Sequence, residues 1–145
     1  MSGPPVEYDD LLGRPFRYGG RGDGPIDCGG LAEIINVRAG RCEHGQLAWP
    51  SKHGMAALRG GELHAFIKAV AEQFLYVGED PTSASWVGDF ALSDPALCGF
   101  ATHVTVLAHP QRRTWLTATE SGGVLVVPQR SIVNCRGIYR VRRQP

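Results

Sequence analysis

The sequence lacks the features that would assign it to several common classes of protein. Its four cysteines, Cys28, Cys42, Cys98 and Cys135, stand singly with no C-x-x-C pair and no histidine at a ligand-like spacing, so no metal site is expected. The formal net charge is only +1, which argues against nucleic-acid binding. No apolar run approaches the roughly 18 residues of a membrane helix, so no membrane insertion is expected.

The N-terminal residues Met1 to Pro5 lack the basic and apolar regions of a signal peptide. We therefore expect a protein made in the cytoplasm with four reduced thiols, and disulfides remain an open alternative. The chain has 145 residues, of which 43% are apolar and 20% are charged. This composition predicts a single domain over residues 1–145.

Helical patterns precede strand-like runs along the chain. Leu31, Ile34 and Ile35 recur at helical spacing after Cys28, and Gly40 is placed to end that helix. A second amphipathic helix is predicted from the spacing of Leu63, Phe66, Ile67, Val70 and Phe74. Short apolar runs then predict antiparallel strands at residues 90–92, 103–107, 114–119, 124–127 and 137–141. The order predicts an α+β fold.

Cys28 lies where the start of a helix can make a thiol reactive. Asp27 is a good N-cap, and Gly29 and Gly30 leave the sulfur accessible to a substrate. Unpaired N–H groups and the helix dipole favour a thiolate, so we expect a lowered pKa for Cys28. His103, which opens a predicted strand, is the best candidate base among five histidines. The alternative is that both residues are structural.

Three stretches carry motifs with a specific family pattern. Residues 12–20 read LGRPFRYGG and residues 27–31 read DCGGL; VGDF at 87–90 is followed by HV at 103–104, and WLTA at 115–118 by GGV at 122–124. Together they resemble the motifs of the NlpC/P60 cysteine peptidases. The resemblance implies a papain-like NlpC/P60 fold, in which the nucleophile-bearing helix packs on an antiparallel β-sheet. Residues at about 43–85 match no motif and are interpreted as a helical insertion.

The resemblance also implies roles for individual residues. Cys28 is the nucleophile, His103 is the base, and Thr117 takes the position that orients the histidine. The residues expected to bind substrate are Phe16, Tyr18 and Gly29. No metal or organic cofactor is implied.

Three positions depart from the family pattern. Phe16 replaces a tyrosine and cannot donate a hydrogen bond, whereas Gly29 in place of serine keeps its backbone donor. Thr117 replaces a His, Asn or Gln and is a weaker orienting group, for which the alternatives are Glu120, Gln129 and Asn134. Loss of an orienting group can lower the rate by orders of magnitude.

The function implied is hydrolysis of γ-D-glutamyl-diamino acid bonds in bacterial peptidoglycan peptides. The compact domain and the residue pattern of the first motif look most like family variants associated with phage tails. Other tail-tip proteins are therefore expected partners. Two alternatives stay open at this point. One is a structural or adaptor protein of a tail-tip assembly with impaired catalysis, and the other is an acyltransferase or amidase that uses the same Cys-His pair.

Overall fold

The computed structural model describes residues 5–17, 24–47, 71–97, 99 and 101–142. Within them the chain forms one α-helix and a six-stranded antiparallel sheet, so the predicted α+β class is confirmed. The helix is α1 (Cys28–Arg38), and the strands are β1 (Phe74–Gly78), β2 (Phe90–Ser93), β3 (His103–His109), β4 (Thr114–Thr119), β5 (Gly123–Val127) and β6 (Cys135–Val141). No helix among the described residues has the length and apolarity to cross a membrane.

The sheet has the order β1-β6-β2-β3-β4-β5, and all its neighbouring strands are antiparallel. Strands β2 to β6 fall on the five runs predicted from the sequence. β1 was not predicted, because Phe74 was assigned to the second amphipathic helix. Phe74 instead pairs with Val141 and packs edge-on against Phe90, with ring centroids 5.4 Å apart. Burial of this ring in the sheet overrides the helical spacing.

The predicted insertion at about 43–85 is only partly described. Its residues 48–70, including Leu63, Phe66, Ile67 and Val70 of the predicted helix, lie outside the described part of the chain. The described remainder includes β1 and the 3₁₀ helices Ala71–Gln73 and Pro81–Ser83. Of these elements, β1 extends the sheet by pairing with β6.

Helix α1 packs on one face of the sheet, against β3 and β4. Leu31 and Ile35 are fully buried there in a core cluster with Val104 and Leu116. A second cluster on the other face contains Trp115 with Ala84, Ala91, Leu107 and Ile138. Because both faces of the central strands are covered, their sequences read as nearly continuous apolar runs.

Asp89, in the turn before β2, links the segment that precedes β2 to β6. Its fully buried carboxylate accepts hydrogen bonds from the backbone N–H groups of Ser85 and Trp86. The same carboxylate forms two 2.8 Å hydrogen bonds with the guanidinium group of Arg140. The guanidinium groups of Arg140 and Arg41 lie 4.9 and 5.1 Å from the centre of the Trp86 ring. Asp89 is therefore a structural residue.

We expect Asp89→Ala to lower the free energy of unfolding by about 3–5 kcal/mol, because it leaves the Arg140 charge without its carboxylate in a largely buried place. Denaturant unfolding monitored by circular dichroism measures the loss. Asp80→Ala is the matched control, since the Asp80 side chain is exposed and accepts one backbone bond from Thr82. Equal losses for the two variants would contradict this account.

Candidate active site

A cavity of about 410 Å³ opens where the start of α1 meets the sheet. It brings together three of the residues predicted from the sequence, namely Cys28, His103 and Phe16. The other lining residues are Pro95, Ala96, Thr102, Ala118, Thr119, Glu120 and Ser121. The thiol and the imidazole thus share one solvent-accessible space, although they are 75 positions apart in the chain.

The local structure before α1 fixes the position of Cys28. The Asp27 carboxylate accepts a 2.7 Å hydrogen bond from the Gly30 N–H, so Asp27 caps the helix as predicted. Ile26 forms a parallel bridge with Phe16, and its N–H donates to the Pro15 carbonyl. Cys28 follows as the first residue of α1 and is half-buried. The Asp27 cap and the bridge between Ile26 and Phe16 therefore fix the start of the helix, where Cys28 lines the cavity.

Thr117 holds the imidazole of His103. The distance from His103 Nε2 to Thr117 Oγ1 is 2.5 Å, and the Thr117 hydroxyl lies 3.2 Å from the Val104 carbonyl oxygen. Because that carbonyl can only accept, the hydroxyl donates to it and accepts from the ring N–H. The proton of the neutral imidazole is therefore on Nε2, and Nδ1 remains as the acceptor.

The pairing of β3 with β4 explains why these two side chains meet. Val106 pairs with Leu116, and side chains alternate between the faces of a sheet. Odd-numbered residues of β3 therefore share a face with odd-numbered residues of β4, which places His103 and Thr117 on the same side. Thr117 is 4% exposed, so the hydroxyl has little competition from solvent.

Burial keeps both reactive groups neutral. The pKa of the Cys28 thiol is raised to about 11, mainly by burial and further by the Asp27 carboxylate, while backbone hydrogen bonds from Val104 and Gly29 act in the opposite direction. Burial lowers the pKa of His103 to about 4. The lowered thiol pKa expected from the helix start is therefore wrong for this structure. The thiol and the imidazole, which both line the cavity, are therefore neutral at physiological pH.

The remaining residues predicted from the sequence have different positions. Gly29 is buried in the first turn of α1 and contributes a backbone donor near the sulfur. Tyr18 lies outside the described residues. Of the alternatives to Thr117, Glu120 lines the cavity, whereas Gln129 accepts hydrogen bonds from Arg113 and Trp115. The backbone carbonyl of Asn134, the third alternative, accepts a bond from the Asp94 N–H.

Several lining residues were missed in the sequence. Thr102 precedes one predicted strand and Thr119 is the last residue of another, and their closeness in sequence to His103 and Thr117 could have indicated them. Pro95 and Ala96 carry no comparable signal, because only the course of the loop before β3 brings them to the cavity. No cluster of three or more His, Cys, Asp or Glu side chains suited to a metal occurs in the part of the chain that the structure describes.

Comparison of the chain with protein-family models, with curated proteins and with solved structures finds no significant match.

Removing the charge of Asp27 tests the electrostatics of the site. We expect Asp27→Asn to lower the pKa of Cys28, because the carboxylate raises that pKa and asparagine still caps the helix. Alkylation of Cys28 by iodoacetamide at pH 8 should accelerate, measured by mass spectrometry of the Cys28 peptide. Asp80→Asn, in a similar cap of the 3₁₀ helix Pro81–Ser83, should leave the rate unchanged. A slower or unaltered rate in Asp27→Asn would contradict this assignment.

Proposed function

We propose that the protein is a cysteine peptidase that hydrolyses amide bonds in bacterial cell-wall peptides, with γ-D-glutamyl-diamino acid bonds as its substrates. The observation that carries this proposal is the shared cavity of Cys28 and His103, with Thr117 hydrogen-bonded to the imidazole. The packing of α1 on an antiparallel sheet is compatible with the papain-like NlpC/P60 fold that the sequence motifs resemble. We include that fold in the proposal.

The first half of the reaction forms an acyl-enzyme. As the Cys28 sulfur attacks the substrate carbonyl, its proton passes to Nδ1 of His103, the nitrogen that Thr117 leaves available. The carbonyl oxygen becomes an oxyanion, which the Cys28 N–H at the helix start is placed to stabilise. The imidazolium then protonates the amine of the diamino acid, the C–N bond breaks, and a thioester remains on Cys28.

The second half of the reaction releases the acid. Neutral His103 removes a proton from a water molecule, which attacks the thioester carbonyl. The returning proton goes to the Cys28 sulfur as the C–S bond breaks, and the D-glutamyl carboxylate leaves. Because the thiol begins neutral, His103 must act as a general base in the attack rather than as the partner of a preformed thiolate.

The biological setting in this proposal is a phage tail tip. A virion component that opens peptidoglycan locally would contact other tail-tip proteins and cell-wall peptides, and it would have no need of nucleic acid. This part rests on the sequence resemblance to tail-associated variants.

Digestion of purified diaminopimelate-type peptidoglycan tests the reaction. We expect the wild-type protein to release peptides cut after D-glutamate, detected by mass spectrometry, and Cys28→Ala and His103→Ala to release none. Cys42→Ala is the matched control, because burial also raises the pKa of Cys42 to about 11 but that thiol does not line the cavity. Release by Cys28→Ala, or equal losses in Cys28→Ala and Cys42→Ala, would overturn the assignment.

The hydroxyl of Thr117 should matter for rate. We expect Thr117→Val to lower kcat by about 10²-fold or more, because the imidazole then loses the acceptor that fixes its tautomer. Thr105→Val is the control, since Thr105 lies on the adjacent strand β3 and is equally buried at 4% exposure. Steady-state cleavage of a purified cell-wall peptide gives both values. Similar kcat values for the two variants would show that Thr117 does not orient His103.

The second candidate function is an adaptor of the tail tip with impaired catalysis. Two observations favour it: Phe16 lines the cavity without a hydroxyl to bind the reacting carbonyl, and the thiol pKa is raised rather than lowered. Under this alternative, Cys28→Ala particles would assemble and infect as the wild type does, and the isolated wild-type protein would cleave nothing. The same digestion therefore separates the two functions.

A further inference from the structure

A loop between β2 and β3 forms part of the cavity wall. We name its described residues, 94–97, 99, 101 and 102, the cavity loop. Pro95, Ala96 and Thr102 of this loop line the cavity. His103 follows directly and begins β3. The path of this loop therefore sets both the width of the cavity on this side and the point at which the imidazole enters it.

The loop is built around the carboxylate of Asp94, which is fully buried. Its Oδ2 accepts a 2.8 Å hydrogen bond from the Gly99 N–H and a 3.1 Å bond from the Arg136 guanidinium on β6. These contacts tie the far part of the loop to its first residue, and they tie both to a neighbouring strand. Burial of a carboxylate costs desolvation free energy, which hydrogen bonds to its partners must offset. Such a group therefore points to a role in organising the surrounding structure.

Backbone hydrogen bonds close the loop at its base. The Asp94 N–H donates to the Asn134 carbonyl at 3.0 Å, and the Thr102 N–H donates to the Ser93 carbonyl at 2.9 Å. The Leu97 N–H donates to the Asp94 carbonyl at 3.1 Å and forms a tight turn. The loop is thus held at both ends and across its middle.

Leu97 shows that this loop is restrained rather than relaxed. Its φ angle is +55°, a conformation that a leucine rarely adopts, and 73% of its surface is exposed. No burial of the side chain offsets the strain, so the surrounding contacts must maintain it. The Asp94 carboxylate and carbonyl make two of those contacts.

We propose that Asp94 is a positioning residue that fixes the cavity loop and so determines which molecules reach Cys28. It does this through its hydrogen bonds to Gly99 and Arg136. For the peptidase reaction, and therefore resting on the proposed function, the loop selects peptides that are thin enough to pass Pro95 and Ala96. Loss of the Asp94 carboxylate lets the cavity loop move, so that wider reagents reach Cys28. It also makes the position of His103, which follows the loop, less fixed.

Size-selective labelling of Cys28 tests this inference without relying on catalysis. Iodoacetamide serves as the small reagent, and a maleimide carrying a polyethylene glycol chain serves as the wide one. The ratio of the two rates is measured on the Cys28 peptide by mass spectrometry. A change in the thiol pKa scales both rates together, so the ratio reports access to the sulfur.

We expect Asp94→Ala to raise the ratio of wide to small reagent severalfold, with an unchanged circular dichroism spectrum. Asp94→Asn should lie close to wild type, because its amide oxygen can still accept from the Gly99 N–H. Asp80→Ala, a loop aspartate whose carboxylate also accepts a backbone N–H, should leave the ratio unchanged. On a cell-wall peptide, Asp94→Ala should lower kcat/KM by about 10- to 100-fold through misplacement of the wall and of His103.

A folded Asp94→Ala variant with the wild-type ratio overturns the inference, even if the wild type cleaves peptidoglycan. If Asp94→Ala does not fold, Arg136→Gln takes its place, since the Arg136 side chain is 42% exposed; a raised ratio supports the inference and an unchanged one overturns it. If the wild type cleaves nothing but Asp94→Ala raises the ratio of wide to small reagent, the proposed function is contradicted and this inference is supported.

Discussion

The packing of the first turn of α1 against the start of β3 is the contact on which the site depends. The backbone N–H of Val104, on β3, hydrogen-bonds to the sulfur of Cys28, the first residue of α1. His103 precedes Val104, so the same contact places the base in the wall of the cavity that Cys28 also lines. The cavity lies at this end of the helix, where Cys28 and His103 both line it.

This contact also determines the chemistry of the pair. Close packing reduces the contact of both groups with water, which raises the pKa of Cys28 and lowers that of His103. Thr117 offers the imidazole a neutral oxygen and no negative charge, so it orients the ring without favouring an imidazolium. A site of this kind holds no thiolate at rest. Its reactivity depends on transfer of the thiol proton to His103 during the attack. Precise placement of His103 therefore matters more than the acidity of the thiol.

The features that could be predicted from sequence were local ones. Asp27 as the cap, Gly40 at the end of α1 and the runs that became β2 to β6 each follow from neighbouring residues. β1 was missed because Phe74 fits a helical spacing, and only its pairing with Val141, far along the chain, makes it a strand. Contacts between distant segments override a local period of this kind.

In the site, too, local features could be predicted from the sequence and those set by distant contacts could not. Cys28 and His103 could be selected from their local settings, and the motifs suggested Thr117. The direction of the pKa shifts could not be predicted, because desolvation depends on tertiary packing that the sequence does not display. Pro95 and Ala96 reach the cavity only through the course of the loop that Asp94 holds.

The tautomer and charge of the His103 ring test this account most directly. Two-dimensional nitrogen-15 NMR of the imidazole between pH 3 and 9 reports which nitrogen carries the proton and where the ring titrates. The account predicts a neutral ring with its proton on Nε2 at pH 7 and a pKa near 4. A ring protonated on both nitrogens at pH 7, or a neutral ring with its proton on Nδ1, would contradict it.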